Sequence, residues 1–390
     1  MKVTFFTREY PPHVYGGAGV HVKNLSRELS RLMEVEVRCI GPQKSEEGTL
    51  RVRGYQAWPR MFEGEDKLFN SVLGTFSSGL SMVRDRIDAD LVHSHTWYAA
   101  LPGFFAQQLY HVPFVATVHS LEPLRPWKEE QLGRSYHLST WIERVALTSA
   151  DRIVAVSNES RREILELFDV KPERVTVIYN GVDLSVWNRS EAETTRKAYG
   201  IDGPYILFVG RTTRQKGMTH LLDALRHVPP PTRLVCCTSA PDTPEIEREI
   251  AAKVGEHPDR VIWINTLLRE DQYIELYSHC AVFCCPSVYE PFGIINLEAM
   301  ACERAVVASA VGGIKEVVVP GETGLLVPPG EPEALAEALN RVLRDPEMAR
   351  AMGAKGRARV EERFSWTAIA RQTKAMYEDV LRERAAGGSA

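Results

Sequence analysis

Short apolar runs recur along the chain, and most of them are separated by stretches of helical periodicity. Lys2 to Thr7, Val35 to Ile40, Leu91 to His93, Phe114 to Val118, Arg152 to Val156 and Val175 to Ile178 read as buried strands. Helical patterns fall at Gly16 to about Leu32, Leu68 to Arg86, Tyr98 to Tyr110, His137 to Ser149 and Glu159 to Phe168. The pattern breaks at Asn180-Gly181-Val182-Asp183 into a polar segment that runs to Gly203-Pro204, and the alternation then restarts. Tyr205 to Val209, Arg233 to Cys237, Val261 to Ile264, Ala281 to Cys285, Ala305 to Ser309 and Gly324 to Val327 form the second set of strands, and two or three helices follow from Pro332. Strands that are Val/Ile-rich throughout and alternate with helices predict parallel sheets covered on both faces. The fold class is therefore α/β, with two doubly wound domains meeting near residues 183 and 184. Dehydrogenases, two-domain transferases and ligand-binding clamshells all remain compatible with that plan.

Composition narrows the choice. A chain of 390 residues, 44% hydrophobic and 25% charged, has the make-up of a soluble globular protein of two ordinary domains. A net charge of −4 gives no general attraction to nucleic acid or to an anionic membrane. No apolar run is long enough for a membrane span, and Val3 to Phe6, followed at once by Arg8-Glu9, is too short for a signal peptide, so a cytoplasmic protein is expected. Seven cysteines, several of them inside strand-like runs, argue for small buried apolar residues rather than a disulfide framework, a structural zinc or a thiol nucleophile.

The candidate chemistry clusters after strands. Beyond Ala281 to Cys285 comes Ser287-Val288-Tyr289-Glu290-Pro291-Phe292-Gly293-Ile294-Ile295-Asn296-Leu297-Glu298. On a helical wheel of about 100° per residue, Ile294, Ile295, Leu297, Ala301 and Cys302 form one apolar arc, and Glu298 falls inside it. A carboxylate on a buried face needs a partner, either an internal Lys or Arg or the hydroxyls of a ligand. Gly210-Arg211-Thr212-Thr213-Arg214-Gln215-Lys216-Gly217 follows Tyr205 to Val209 and places three cations within six residues where α/β proteins bind anions. Gly16-Gly17-Ala18-Gly19-Val20-His21 opens the first helix, as a phosphate loop or as a tight turn. His119 ends a strand and is expected in the ligand crevice. His93 and His95, with no third metal ligand nearby in sequence, read as strand-end positioning residues. Leu124 to Arg134, with Arg125, Lys128 and Trp127, reads as a polar loop overhanging the crevice, suited to a phosphorylated sugar. Triphosphatase, kinase, GxSxG hydrolase and HExxH signatures are missing from the sequence.

Taken together, the Gly-Gly-Ala-Gly-Val-His cluster, the Gly-Arg…Gln-Lys-Gly loop and the Glu-x7-Glu of Glu290 and Glu298 resemble, in order and spacing, the family 4 retaining glycosyltransferases of GT-B fold. Thr7 to His21, His93 to Tyr98 and Ser120 to Lys128 are most similar to the actinobacterial-type glycogen synthases, a group that makes α-maltose 1-phosphate. The long-polymer synthases have a Lys-Thr-Gly-Gly-Leu loop where this chain has Tyr-Gly-Gly-Ala-Gly.

The resemblance implies two Rossmann-like domains with an active-site cleft between them: 1–183 on the acceptor side, 184–365 binding the nucleotide sugar, and a C-terminal helix within 366–390 crossing back onto the first. It implies transfer of glucose from ADP-glucose to α-glucose 1-phosphate for glucan synthesis. Arg211 and Lys216 would neutralise the diphosphate, Glu298 would take the ribose hydroxyls, and Glu290 with the Phe292, Gly293, Ile294 and Ile295 backbone would hold the glucose. His119 would touch that sugar, Gly17 would approach donor phosphate and acceptor, and Arg125 and Lys128 would receive the acceptor phosphate. No cofactor and no metal are implied, because the two cations do the work of Mg²⁺; the partners are the two small substrates, without nucleic acid or membrane, and a homodimer is left open. With both glutamates assigned to hydroxyls, front-face substitution is favoured over a covalent intermediate. The alternatives are direct α-1,4-glucan elongation from ADP- or UDP-glucose and, in another class, a non-catalytic sugar-nucleotide-binding protein.

Overall fold

The structure, a computed structural model, describes residues 1–59, 67–239 and 241–387. The chain forms two compact units, Met1–Asn180 with Trp366–Ala390, and Gly181–Ser365. The last three positions of the expected 366–390 segment lie outside the described residues.

The first unit carries β1 (Lys2–Thr7), β2 (Glu34–Ile40), β3 (Lys44–Glu47), β4 (Leu50–Tyr55), β5 (Leu91–His95), β6 (Phe114–Val118), β7 (Arg152–Ala155) and β8 (Val175–Val177) in one sheet, ordered β3-β4-β2-β1-β5-β6-β7-β8. All neighbours are parallel except β3 with β4. The continuous apolar run of β1 follows from burial on both faces. Val3 and Phe5 pack with Val22, Leu25 and Leu29 of the helix Gly17–Leu29 and with Ile369 and Tyr377 of the helix Trp366–Gly387. Phe6 joins the opposite layer, with Val72, Ala106, Phe114 and Ile142.

The hairpin of β3 and β4 is an addition to the expected elements. Lys-Ser-Glu-Glu of β3 is exposed at every position, so an edge strand held by backbone pairing leaves no hydrophobic signal.

The second unit carries β9 (Tyr205–Arg211), β10 (Arg233–Ser239), β11 (Val261–Ile264), β12 (Val282–Cys285), β13 (Val306–Ser309) and β14 (Gly324–Val327), all parallel and ordered β11-β10-β9-β12-β13-β14. Ile206, Phe208, Cys236, Cys284 and Val307 share one apolar core. All seven cysteines are free and buried, as apolar filling requires. Among the described residues no helix is long and apolar enough to cross a membrane. Strand order reverses at β1/β5 in the first unit and at β9/β12 in the second, and ligands bind outside the carboxyl ends of strands at such points.

The loops at the second reversal are locked by close backbone approach. Gly312, at φ +50°, lies so near the loop after β12 that a Cβ there would meet the Glu290 carbonyl oxygen at 1.9 Å, and Gly313 N–H donates to the same oxygen at 3.1 Å. Gly321, at φ +78°, would have nothing within 4 Å of an added Cβ. Gly312→Ala should therefore cost about 2 kcal/mol more in urea unfolding than Gly321→Ala, which carries the backbone penalty alone. Equal costs would contradict the packing described for this loop.

Candidate functional site

The basic loop of the second unit leaves β9 and turns through a short 3₁₀ segment, Arg214–Lys216. Gly217 ends it at φ +66°, where a Cβ would stand 2.0 Å from the Pro286 carbonyl oxygen. Val288 N–H donates to the Gln215 carbonyl at 2.9 Å. These two contacts fasten the loop after β9 to the loop after β12. The consequence is an ion pair between two anticipated site residues: Lys216 Nζ lies 2.5 Å from Glu290 Oε2, both side chains largely withdrawn from water. Ser287 Oγ–H also points to Glu290 Oε2, at 3.5 Å.

Arg211, the last residue of β9, reaches Asp242 Oδ1 at 3.1 Å and stays about one-third exposed (34%). Asp242 carried no sequence signal, since it lies in a different loop, after β10. Arg214 turns outward toward Glu249.

Gly293, at φ +91°, starts the helix Ile294–Ala301, which is buried at every position but Ile295. Phe292 and Ile294 are buried, and the Phe292 ring meets Phe364 edge-on. Glu298 is buried in this helix. Its carboxylate accepts one hydrogen bond, from the Tyr277 hydroxyl at 3.2 Å, and no Lys or Arg pairs with it among the described residues. Burial without a cation pushes its carboxyl up to about 7, the Tyr277 hydrogen bond opposing the shift and the Glu270 charge adding to it. Of the two partners the sequence left open, the internal Lys or Arg is not found among the described residues.

In the first unit four histidines gather at the carboxyl ends of β1, β5 and β6. His93 is bound through Nδ1 to the Tyr377 hydroxyl and through Nε2 to Thr117 Oγ1, each at 2.6 Å. His95 Nδ1 lies 3.2 Å from His119 Nε2, and the His21 ring stacks edge-on against His119 at 4.7 Å between centroids. His21 Nδ1 meets Asn180 Oδ1 at 2.6 Å. Burial holds His21 down to about 4 and, together with neighbouring imidazoles, drives His93, His95 and His119 well below the ordinary histidine value, so all four are neutral at pH 7. His95 was expected only to position a strand end; His21 and His119 stand beside it, which sequence spacing could not show.

The glycine cluster is preceded by a built-in anion. Glu9 accepts from the Tyr15 and Gly16 backbone N–H groups at 2.8 and 3.0 Å, and Gly19 leaves room for that carboxylate, which a Cβ would meet at 2.7 Å. Gly17 is the first residue of the helix that follows.

The expectation of an overhanging polar loop at Leu124 to Arg134 is corrected. The segment folds as a short helix, Lys128–Leu132, and both Arg125 and Lys128 are buried. Glu122, fully buried, pairs with Arg125 at 3.4 Å and with Lys128 at 3.7 Å, and Lys128 also donates to the Tyr98 hydroxyl. Glu143 sits beside Glu122; burial and that like charge drive its carboxyl well up, toward the neutral form. One carboxylate facing two cations leaves the cluster net positive, and the pairing is why this polar segment can be buried at all.

Residues 15–186 match the family model described as Glycosyltransferase Family 4, and residues 191–359 match that described as Glycosyl transferases group 1. The chain is 46% identical to the α-maltose-1-phosphate synthase of Mycolicibacterium smegmatis, over 97% of its own length and 100% of the relative's. It is 30% identical to a glycogen synthase of Mycobacterium tuberculosis, over 97% and 94%. Among solved structures, the sucrose-phosphate synthase of Thermosynechococcus elongatus aligns with a TM-score of 0.82 at 27% identity, covering 98% of this chain and 99% of the other.

The raised carboxyl of Glu298 has a thermodynamic signature. A group whose folded-state pKa lies above its unfolded value favours folding at low pH and loses that contribution as pH rises from 4.5 through about 7. The Glu298→Gln variant, without ligand, should therefore gain about 2–3 kcal/mol in stability relative to the parent protein between pH 5 and pH 8 in denaturant titrations. A stability difference that does not change with pH would contradict the buried, unpaired carboxylate.

Proposed function

The chain belongs to glycosyltransferase family 4, an enzyme family of GT-B fold with two Rossmann-like domains, and from that premise we propose that it moves glucose from ADP-glucose to the 4-hydroxyl of α-glucose 1-phosphate, with retention, giving α-maltose 1-phosphate. The observation that carries the reading of the site is Glu298: a buried carboxylate with no cation beside it among the described residues, on the helix that follows the loop where Glu290 has Lys216. A group costing on the order of 3 kcal/mol to ionise in place is suited to hydroxyl donors that arrive with a ligand. In this reading Glu298 takes the ribose hydroxyls, and Glu290 with the backbone from Phe292 through Gly293 and Ile294 to Ile295 takes those of the glucose. Lys216 and Arg211 neutralise the diphosphate, Gly17 brings backbone close to donor phosphate and acceptor, and the net positive Arg125–Lys128–Glu122 cluster draws the acceptor phosphate. The second unit thereby serves the donor and the first the acceptor. A maltose 1-phosphate product is supported by the full-length similarity to an enzyme named for α-maltose-1-phosphate synthesis.

The bond from C1 to the diphosphate oxygen breaks and the bond from C1 to the acceptor O4 forms on the same face. The O4 proton passes to the departing ADP oxygen. His119 is held neutral by burial, so it donates a hydrogen bond to the sugar rather than a proton to the leaving group. Charge neutralisation by Lys216 and Arg211 is what lowers the barrier.

The 30% identity to a glycogen synthase favours a second reading, direct elongation of glucan. One assay separates the two: ADP-glucose or UDP-glucose is offered with glucose 1-phosphate or with glycogen, and ADP release and product mass are followed. Maltose 1-phosphate from ADP-glucose is expected, with Lys216→Ala lowering kcat at least about 100-fold. Brisk glycogen elongation without maltose 1-phosphate would overturn the acceptor, and a Lys216→Ala rate near the parent's would overturn the diphosphate assignment.

A further inference from the structure

The histidines of the first unit outnumber what the proposed transfer uses. Only His119 has a role in it, and His93 has both nitrogens engaged by Tyr377 and Thr117. His21 and His95 are left with no task, and each holds a buried Nε2 with no hydrogen-bond partner among the described residues. The tautomer of His21 is fixed, because the Asn180 carbonyl oxygen at 2.6 Å can only accept. Its proton is therefore on Nδ1, and Nε2 presents a bare lone pair.

The geometry points to a metal site: we propose that His21, His95 and His119 form a three-imidazole site for a borderline divalent cation of the Zn²⁺ class, and that its occupation inhibits glucosyl transfer by engaging His119. One ligand nitrogen from each of the three lies within 4.8 Å of the others. The His95 Nδ1 to His119 Nε2 separation of 3.2 Å is close to the edge of a tetrahedral site, roughly 3.3–3.4 Å for Zn–N bonds of about 2.0–2.1 Å. The remaining adjustment falls on His21, whose Nδ1 bond to Asn180 is the outer contact that orients a metal-ligating imidazole. The three ligands come from two strand ends and a helix, which are rigid elements.

The proton now shared between His95 Nδ1 and His119 Nε2 moves to the far nitrogen of its own ring when both ligate the ion. No carboxylate pairs with any of the three among the described residues, which selects against Mg²⁺ and Ca²⁺ and for an ion that prefers nitrogen. His21 and His95 are fully buried while His119 is only partly so, and the open coordination position accordingly lies on the His119 side. Three protein ligands and one open position is the arrangement of a catalytic rather than a closed structural zinc. Here the open side belongs to the sugar, and a cation held on His119 obstructs the approach of that sugar to the ring. The inhibitory half rests on the proposed function; the binding half does not.

The test uses the full chain, dialysed against chelator and titrated with Zn²⁺ by calorimetry, with Co²⁺ as a visible probe of nitrogen coordination. One equivalent should bind. His21→Gln and His119→Gln, each checked for folding by circular dichroism, should each lose at least about tenfold in affinity. Absence of stoichiometric uptake by the parent protein, or undiminished affinity in either folded variant, overturns the site. If the site fills and ADP release continues at the unloaded rate, the inhibitory role is overturned while the site stands; inhibition that a chelator reverses supports both.

Discussion

Glu298 is where burial and charge conflict most directly in this protein, and much of the second unit can be understood from that conflict. The helix Ile294–Ala301 is buried at every position but Ile295, so no rotation of it could expose the side chain. Among the described residues Tyr277 alone hydrogen-bonds the carboxylate, and the carboxyl is driven up to about 7. A hydrophobic residue would pack there without that cost, so the carboxylate lowers stability where it sits. The loop contacts made through Gly217 and Val288 commit Lys216 to Glu290 at 2.5 Å.

The two units handle charge by different means. In the second, cations are held in place by carboxylates: Lys216 by Glu290, Arg211 by Asp242. Such pairs position the cations in advance, and in the proposed function a diphosphate would exchange one anionic partner for another instead of ordering long side chains from solution. In the first, the reversal point of the sheet is lined by imidazoles kept neutral by burial. A neutral lining suits hydrogen bonds to sugar hydroxyls. In the same unit Arg125 and Lys128 are buried against Glu122.

Much of this is legible in the sequence, for reasons that differ by residue. Parallel strands buried on both faces advertise themselves as apolar runs, and the expected bounds of β1, β6, β11 and β14 agree with the structure to the residue. The exposed Lys-Ser-Glu-Glu strand escapes such reading, because its stability comes from pairing at an edge. Glu298 is visible because helical periodicity is a local property, and a carboxylate inside an apolar arc stands out. Asp242 and the setting of His21 are invisible for the opposite reason. Their partners are 31 and 159 residues away in the chain, and only the folded sheet brings them together. Arg125 and Lys128 mislead because a run of charges reads as a solvated loop, whereas the counter-charge that buries them, Glu122, looks like one more polar residue.

That Glu298 is kept unpaired for the nucleotide ribose can be tested by titrating ADP and 2′,3′-dideoxy-ADP against the parent protein and the Glu298→Ala variant. The parent should bind the dideoxy compound at least about tenfold more weakly than ADP, and the variant should scarcely distinguish the two. Equal discrimination by both proteins would show that the ribose hydroxyls are held elsewhere and would contradict the account.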